Sequence, residues 1–211
     1  MVRTGERVGI LKELLQSEGF HPANVIPSSP RLSDLKPETA RRVVELYRTL
    51  GGNLAAPTLR PGPWDLAFDK GLVIEFDEEL HFNRYRLATL DFDSAFHQPW
   101  AEPYRRYCSD AETRCLAAGK WGKRWTNPSC EAMFGAAGAP GEFNDGGAPR
   151  WKQRALYDAV KDAYAYDSEN IHLARLSIYD LVDGVELGTA LESGRSVERA
   201  ALLALVESRS S

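Results

Sequence analysis

VIEFDEELHFNRYR, residues Val73–Arg86, sets an apolar strand with a glutamate in its middle directly against a run of acids, a histidine and two arginines. It is reached through WDLAFDKGL at Trp64–Leu72, two short apolar arms around a DKG turn, a pattern that predicts a β-hairpin. In an extended Leu72–Asp77, Ile74 and Phe76 point one way, while Glu75 and Asp77 project together from the other face. Asp65, on the first arm, lies across the ladder from Glu75. Asp69 sits at the turn, where water solvates it, and is the weaker candidate.

Carboxylates held this close repel one another unless a positive charge compensates them. A divalent cation is the simplest compensator, and oxygen ligands favour Mg2+ or Mn2+ over softer metals. The expected metal ligands are therefore Asp65, Glu75 and Asp77. An ion there orients a water and neutralises charge on a phosphodiester. His81, four residues beyond Asp77, is placed to deprotonate that water, and Arg84 and Arg86 to hold phosphate oxygens. The same residues carry a plainer reading. Glu75 is then a solvent-facing residue of an edge strand, DEE a charged turn, His81 a local hydrogen-bonding group, and the two arginines ordinary surface residues.

Working outward, VGILKELLQSEGF predicts a short helix ended near Gly19, and residues 37–49 a second one begun by Pro37 and stopped by Gly51–Gly52. Together these form an expected N-terminal helical cover over residues 1–52. The stretch 80–96 is ambiguous in period, a loop leading into a helix. Residues 101–149 hold Cys108, Cys115 and Cys130, two tryptophans and a Gly/Ala/Pro-rich run, and are expected to be an insertion. Trp151–Tyr166 predicts a helix with Ala155, Leu156, Ala159, Val160 and Ala163 on its apolar stripe. IHLARLSIYDLV follows as a strand in which Arg175 interrupts the alternation, and SVERAALLALVES as a last helix with Ser196 as its N-cap.

At 211 residues and 43% hydrophobic composition, the chain is long enough to bury one substantial core. Its 30 acids against 26 Lys and Arg give a net charge of −4, so any nucleic-acid contact needs a local basic patch. Three cysteines and the absence of an apolar leader fit a reducing cytoplasm. No apolar run approaches the roughly 20 residues that cross a bilayer, so no membrane partner is expected. No P-loop, GxGxxG turn or HExxH is present, which argues against ATPase and dinucleotide chemistry at the level of motifs. The cysteines read either as free thiols or, with help from His97, as zinc ligands.

The order hydrophobic-Asp-hydrophobic, short turn, then VIEFDEELH resembles the very-short-patch-repair (Vsr-like) branch of the PD-(D/E)XK nuclease superfamily. That resemblance covers Trp64–Arg86 and assigns Asp65 to the first acidic position, Glu75 and Asp77 to the paired acids, and His81 to the histidine. It implies an α/β fold with a restriction-endonuclease-like mixed sheet flanked by helices, and a Mg2+- or Mn2+-dependent endonuclease acting on DNA. Two departures stand out: Asp77 occupies the position where the wider superfamily has lysine, and Glu78 the position where small Vsr-like domains have glycine. A weaker echo in WKQRALYDAVKDAY implies that Gln153 and Arg154 reach the substrate, with residues 87–150 inserted. A double-strand cut implies two sites and hence a homodimer.

The charge pattern agrees with an acidic centre inside a basic rim. Arg105, Arg106, Arg114, Lys120, Lys123 and Arg124 precede a helix that adds Arg150, Lys152, Arg154 and Lys161. Trp121 and Trp125 lie among the first group, either to stack on a base or to pin a small subdomain by burial. Retention of such a fold as a non-catalytic nucleic-acid or protein-binding module is the alternative.

Overall fold

Residues 5–92, 98–192 and 197–211 are described by a computed structural model of the chain. It opens with helix α1 (Glu6–Ser17) and helix α2 (Pro37–Thr49), and the hairpin follows as β1 (Leu66–Ala67) and β2 (Leu72–Asp77). After a 3-10 turn at Glu79–His81 come α3 (Arg84–Phe92), α4 (Ala101–Asp110), α5 (Glu112–Gly119) and α6 (Pro128–Phe134). The long α7 (Pro149–Asp167) then leads into β3 (His172–Ser177). A small hairpin of β4 (Leu181–Val182) and β5 (Val185–Glu186), α8 (Leu187–Glu192) and α9 (Arg199–Arg209) complete it.

The sheet has the order β1-β2-β3 and is mixed. β1 runs antiparallel to β2, with Leu66 opposite Ile74, and β2 runs parallel to β3, with Glu75 opposite Arg175 and Asp77 opposite Ser177. A parallel pair needs a long crossover, and here α3 to α7 supply it. The α/β class is thus observed. The turn of the hairpin holds Lys70 and Gly71 at φ 57° and 78°, and a β-carbon on Gly71 would lie 2.0 Å from the Asn170 carbonyl oxygen. Only glycine allows the turn to lie this close to the loop that feeds β3.

Ile74 and Phe76 join the main hydrophobic cluster with Leu11 and Leu15 of α1 and Leu202 and Val206 of α9. The second cluster lies on α7, where Val43, Leu46 and Tyr47 of α2 meet Leu156, Val160 and Phe134. The two N-terminal helices therefore do not form one cover. The polar Pro/Ser-rich linker between them lets α1 serve the sheet side and α2 the far side of α7. Residues 101–149, the expected insertion, pack into the body of the chain. Tyr104 reaches into the sheet, and Trp125 packs edge-on against Trp151 of α7 with ring centroids 5.2 Å apart. Burial of Trp125 matches the pinning role, whereas Trp121 is 62% exposed.

Glu198 caps α9, accepting from the backbone N–H of Ala200 and Ala201; the expected cap Ser196 lies outside the described residues. Cys108, Cys115 and Cys130 are buried free thiols, and burial pushes the first two up to about 12. His97, the conditional fourth zinc ligand, also lies outside the described residues. Among the described residues no helix is long and apolar enough to cross a membrane.

Candidate metal centre and its ion network

Strand alternation puts Glu75 and Asp77 on the face of β2 that α7 covers, and both are almost fully buried, at 4% and 1% exposure. Burying two carboxylates demands partners, and α7 and β3 provide them. Lys161 Nζ lies 2.7 Å from Glu75 Oε1 and also donates to the Pro63 carbonyl at 2.9 Å. Arg175, opposite Glu75 on β3 and fully buried, donates from Nη1 to Asp77 Oδ2 at 2.8 Å and from Nε to Asp162 Oδ1 at 2.6 Å. Its Nη2 donates to the backbone oxygen of Asp158. Arg86 takes the other oxygen of Asp162 at 2.7 Å, and Tyr104 donates to Asp77 Oδ2 at 2.9 Å. Asp158, Lys161 and Asp162 fall on one stripe of α7 because residues three and four apart share a helix face.

His81 closes the network on its partly exposed side. The 3-10 turn after β2 brings its Nδ1 to 3.0 Å from Asp77 Oδ1 and 2.8 Å from Asp158 Oδ2. A nitrogen between two carboxylates carries the proton. Burial alone lowers the histidine pKa, but Asp158 and Asp77 together raise it to about 9. Desolvation works against ionising Asp158, yet His81 and Arg175 hold it at about 2. Asp77 is likewise desolvated, and Arg175 and His81 hold it well below the usual carboxylate range. Glu75 behaves differently. Burial outweighs the Lys161 ammonium and raises its carboxyl to about 7.

Asp77, His81 and Asp158 each offer a ligand atom within 4.8 Å of the others, and they are the one such group of acidic, histidine or cysteine ligands among the described residues. This set differs from the expected Asp65, Glu75 and Asp77. Asp65 is a neighbour of Glu75, its N–H 3.3 Å from Glu75 Oε1, but its Oδ2 accepts from the backbone N–H of Phe76 at 2.8 Å. Loss of hydration, with Asp77 adding to it, raises the Asp65 pKa. One nitrogen and two carboxylate oxygens suit Mn2+ better than Mg2+, which favours oxygen and water. The three donors converge as a metal site requires, on condition that the Nδ1 proton leaves.

The expected substrate contacts divide. Arg84 donates twice to Glu112, at 2.9 and 2.7 Å, and its guanidinium stacks 3.6 Å over the Phe143 ring. Arg86 is 1% exposed and held by Asp162, so it ties α3 to α7 instead of facing solvent. Gln153 is buried, facing Met133 Sδ and accepting from Arg150. Arg154 donates to the Leu80 carbonyl at 3.3 Å, one residue before His81. Lys123 and Arg124 are exposed at the start of α7, where the Arg124 carbonyl accepts from Trp151 Nε1.

Lys161, expected on the basic rim, is instead buried against Glu75, and Asp158, Asp162 and Arg175 went unassigned in the sequence, although each left a trace there. Three charges interrupt the apolar run of α7, and one arginine stands in the middle of a strand.

These elements define a small mixed sheet with a buried ion network and one metal-capable cluster at the C-terminal end of its central strand. The chain belongs to a family of unknown function, DUF7255, whose model matches residues 45–193 of the 211. That span contains the hairpin, the His81 turn, α7 and β3. No curated protein and no solved structure matches the chain.

Proposed function

We propose that this protein is a divalent-cation-dependent endonuclease that hydrolyses DNA phosphodiester bonds on a restriction-endonuclease-like core, with Asp77, His81 and Asp158 as the cation ligands. The observation that carries the reading is the convergence of those three donors, from β2, the turn after it and α7, beside the acidic hairpin of Asp65 and Glu75. A bound Mn2+ would supply charge neutralisation on the scissile phosphate and a lowered water pKa. The protein's own groups do the rest. Arg175 and Tyr104 fix Asp77, so its free oxygen faces His81. Glu75, poised at about 7 next to Lys161, is suited to exchange a proton near neutral pH. Arg150 and Arg154, which pair with no carboxylate among the described residues, line the approach along α7 and suit phosphate oxygens. A cytoplasmic setting agrees with three free thiols, and a homodimer would serve a double-strand cut.

One observation favours a second reading, a non-catalytic binding module of the same fold. Glu75, Asp77 and Asp162 already have Lys161, Arg175 and Arg86 as counter-charges, so the network holds together without a cation. Supercoiled-plasmid nicking with Mn2+ decides between them. Wild type is expected to nick, and Asp158→Asn and Asp77→Asn to lose about 100-fold or more, with circular dichroism confirming that both fold. Equal nicking by all three proteins, or none by wild type on duplex, mismatched or single-stranded DNA, refutes the endonuclease.

A further inference from the structure

Of the five tryptophans, Trp64, Trp100, Trp125 and Trp151 are no more than 5% exposed, whereas Trp121 is 62% exposed. An indole left in water on a well-anchored loop calls for an explanation. The loop is anchored at both ends. Gly119 abuts Leu80 and Trp151 so tightly that a β-carbon there would lie 2.3 Å from Leu80. After Trp121, the Arg124 N–H donates to the Trp121 carbonyl at 3.2 Å, and the Trp125 carbonyl accepts from Arg150 N–H at 3.2 Å.

Cations flank the ring in the loop. Lys120 Nζ stands 5.0 Å from its centroid, and Lys123 and Arg124 are exposed within three residues of it. None of these, nor Arg150 or Arg154, forms an ion pair with a carboxylate among the described residues. Arg150 and Arg154 continue the positive line down α7, about 12 Å and 6 Å along the helix axis before Asp158. Arg154 touches the residue preceding His81. An exposed aromatic ring beside one ammonium, in a loop with further cations that pair with no carboxylate among the described residues, complements a ligand with a flat apolar face and a polyanionic backbone.

We infer that Trp121, with Lys120, Lys123 and Arg124, is a stacking platform for an unpaired base of single-stranded nucleic acid, whose backbone then runs along Arg150 and Arg154 toward His81. Duplex is disfavoured because its bases already stack on one another and offer no free face. The direction toward His81 rests on the endonuclease reading; the platform itself does not.

The test uses the full chain in EDTA, so that no cleavage occurs, and an oligothymidylate of about 16 nucleotides. Because Trp121 is the lone exposed tryptophan, quenching of intrinsic fluorescence reports binding at that ring in wild type, and the anisotropy of a fluorescein-labelled strand gives the affinity of wild type and both variants. Wild type is expected to bind oligothymidylate more tightly than an abasic strand of equal length or a duplex. Trp121→Ala should lose about 5- to 150-fold in affinity, the range of base stacking on one aromatic, and Trp121→Phe should retain most of it. Unchanged affinity in Trp121→Ala, equal binding of the abasic strand, or no binding by wild type overturns the platform. Plasmid nicking separates the two readings: nicking by wild type with unchanged Trp121→Ala binding removes the platform alone. A Trp121→Ala effect without nicking keeps the platform on a non-catalytic module.

Discussion

Replacing Glu75 by glutamine tests the balance of forces at the centre of the network. The carboxyl has an ordinary pKa of 4.5 and stands at about 7 in the folded chain, because burial outweighs the Lys161 ammonium 2.7 Å away. A group raised on folding contributes its full share of stability below pH 4.5, where folded and unfolded chains are both protonated. Between pH 4.5 and 7 the folded chain keeps a proton that the unfolded chain has released, so stability falls as pH rises. At about 1.4 kcal/mol per pH unit the loss totals ~3 kcal/mol by pH 8. Glutamine keeps an oxygen for Lys161 and cannot ionise. The stability of Glu75→Gln relative to wild type is therefore expected to rise by ~3 kcal/mol from pH 4 to pH 8. Urea denaturation in EDTA at four pH values measures that difference. A mutant-minus-wild-type stability that stays constant would mean that ammonium and burial cancel, and one that falls as pH rises that the ammonium wins; either result refutes the reasoning.

Arg175→Met leaves Asp77, Asp158 and Asp162 without the guanidinium that touches all three, and should cost about 3–5 kcal/mol. A urea midpoint equal to that of wild type would show the network to be structurally idle. Gly71→Ala forces a side chain into a left-handed turn and onto the Asn170 carbonyl, and is expected to lower stability by about 1–3 kcal/mol or more in a thermal melt.

Local pattern made part of this molecule legible. Apolar alternation and the DKG turn place β1 and β2, Pro37 opens the helix it begins, and parity alone puts Glu75 and Asp77 on one face. The partners of those acids were not legible, because Asp158, Lys161, Asp162 and Arg175 lie some eighty to a hundred residues further on and meet them only through the crossover. Periodicity has no reach over that distance. Arg175 did announce itself as a charge at the centre of an apolar strand. Its parity with Glu75 acquires meaning only once β3 is known to lie parallel to β2 in that register. The assignment of Arg86 to substrate failed for a related reason: a short spacing from His81 says nothing about burial, and Asp162 claims the guanidinium.

The alignment of Glu75 with Arg175 bears on how two strands paired at a separation of a hundred positions find their proper register. Sliding β3 by a single residue would turn Arg175 into the oily side of the layer and strand three acids opposite leucine and alanine. Misaligned pairings thus carry a steep electrostatic penalty that a wholly aliphatic strand pair would lack, and the salt network doubles as a proofreading device during folding.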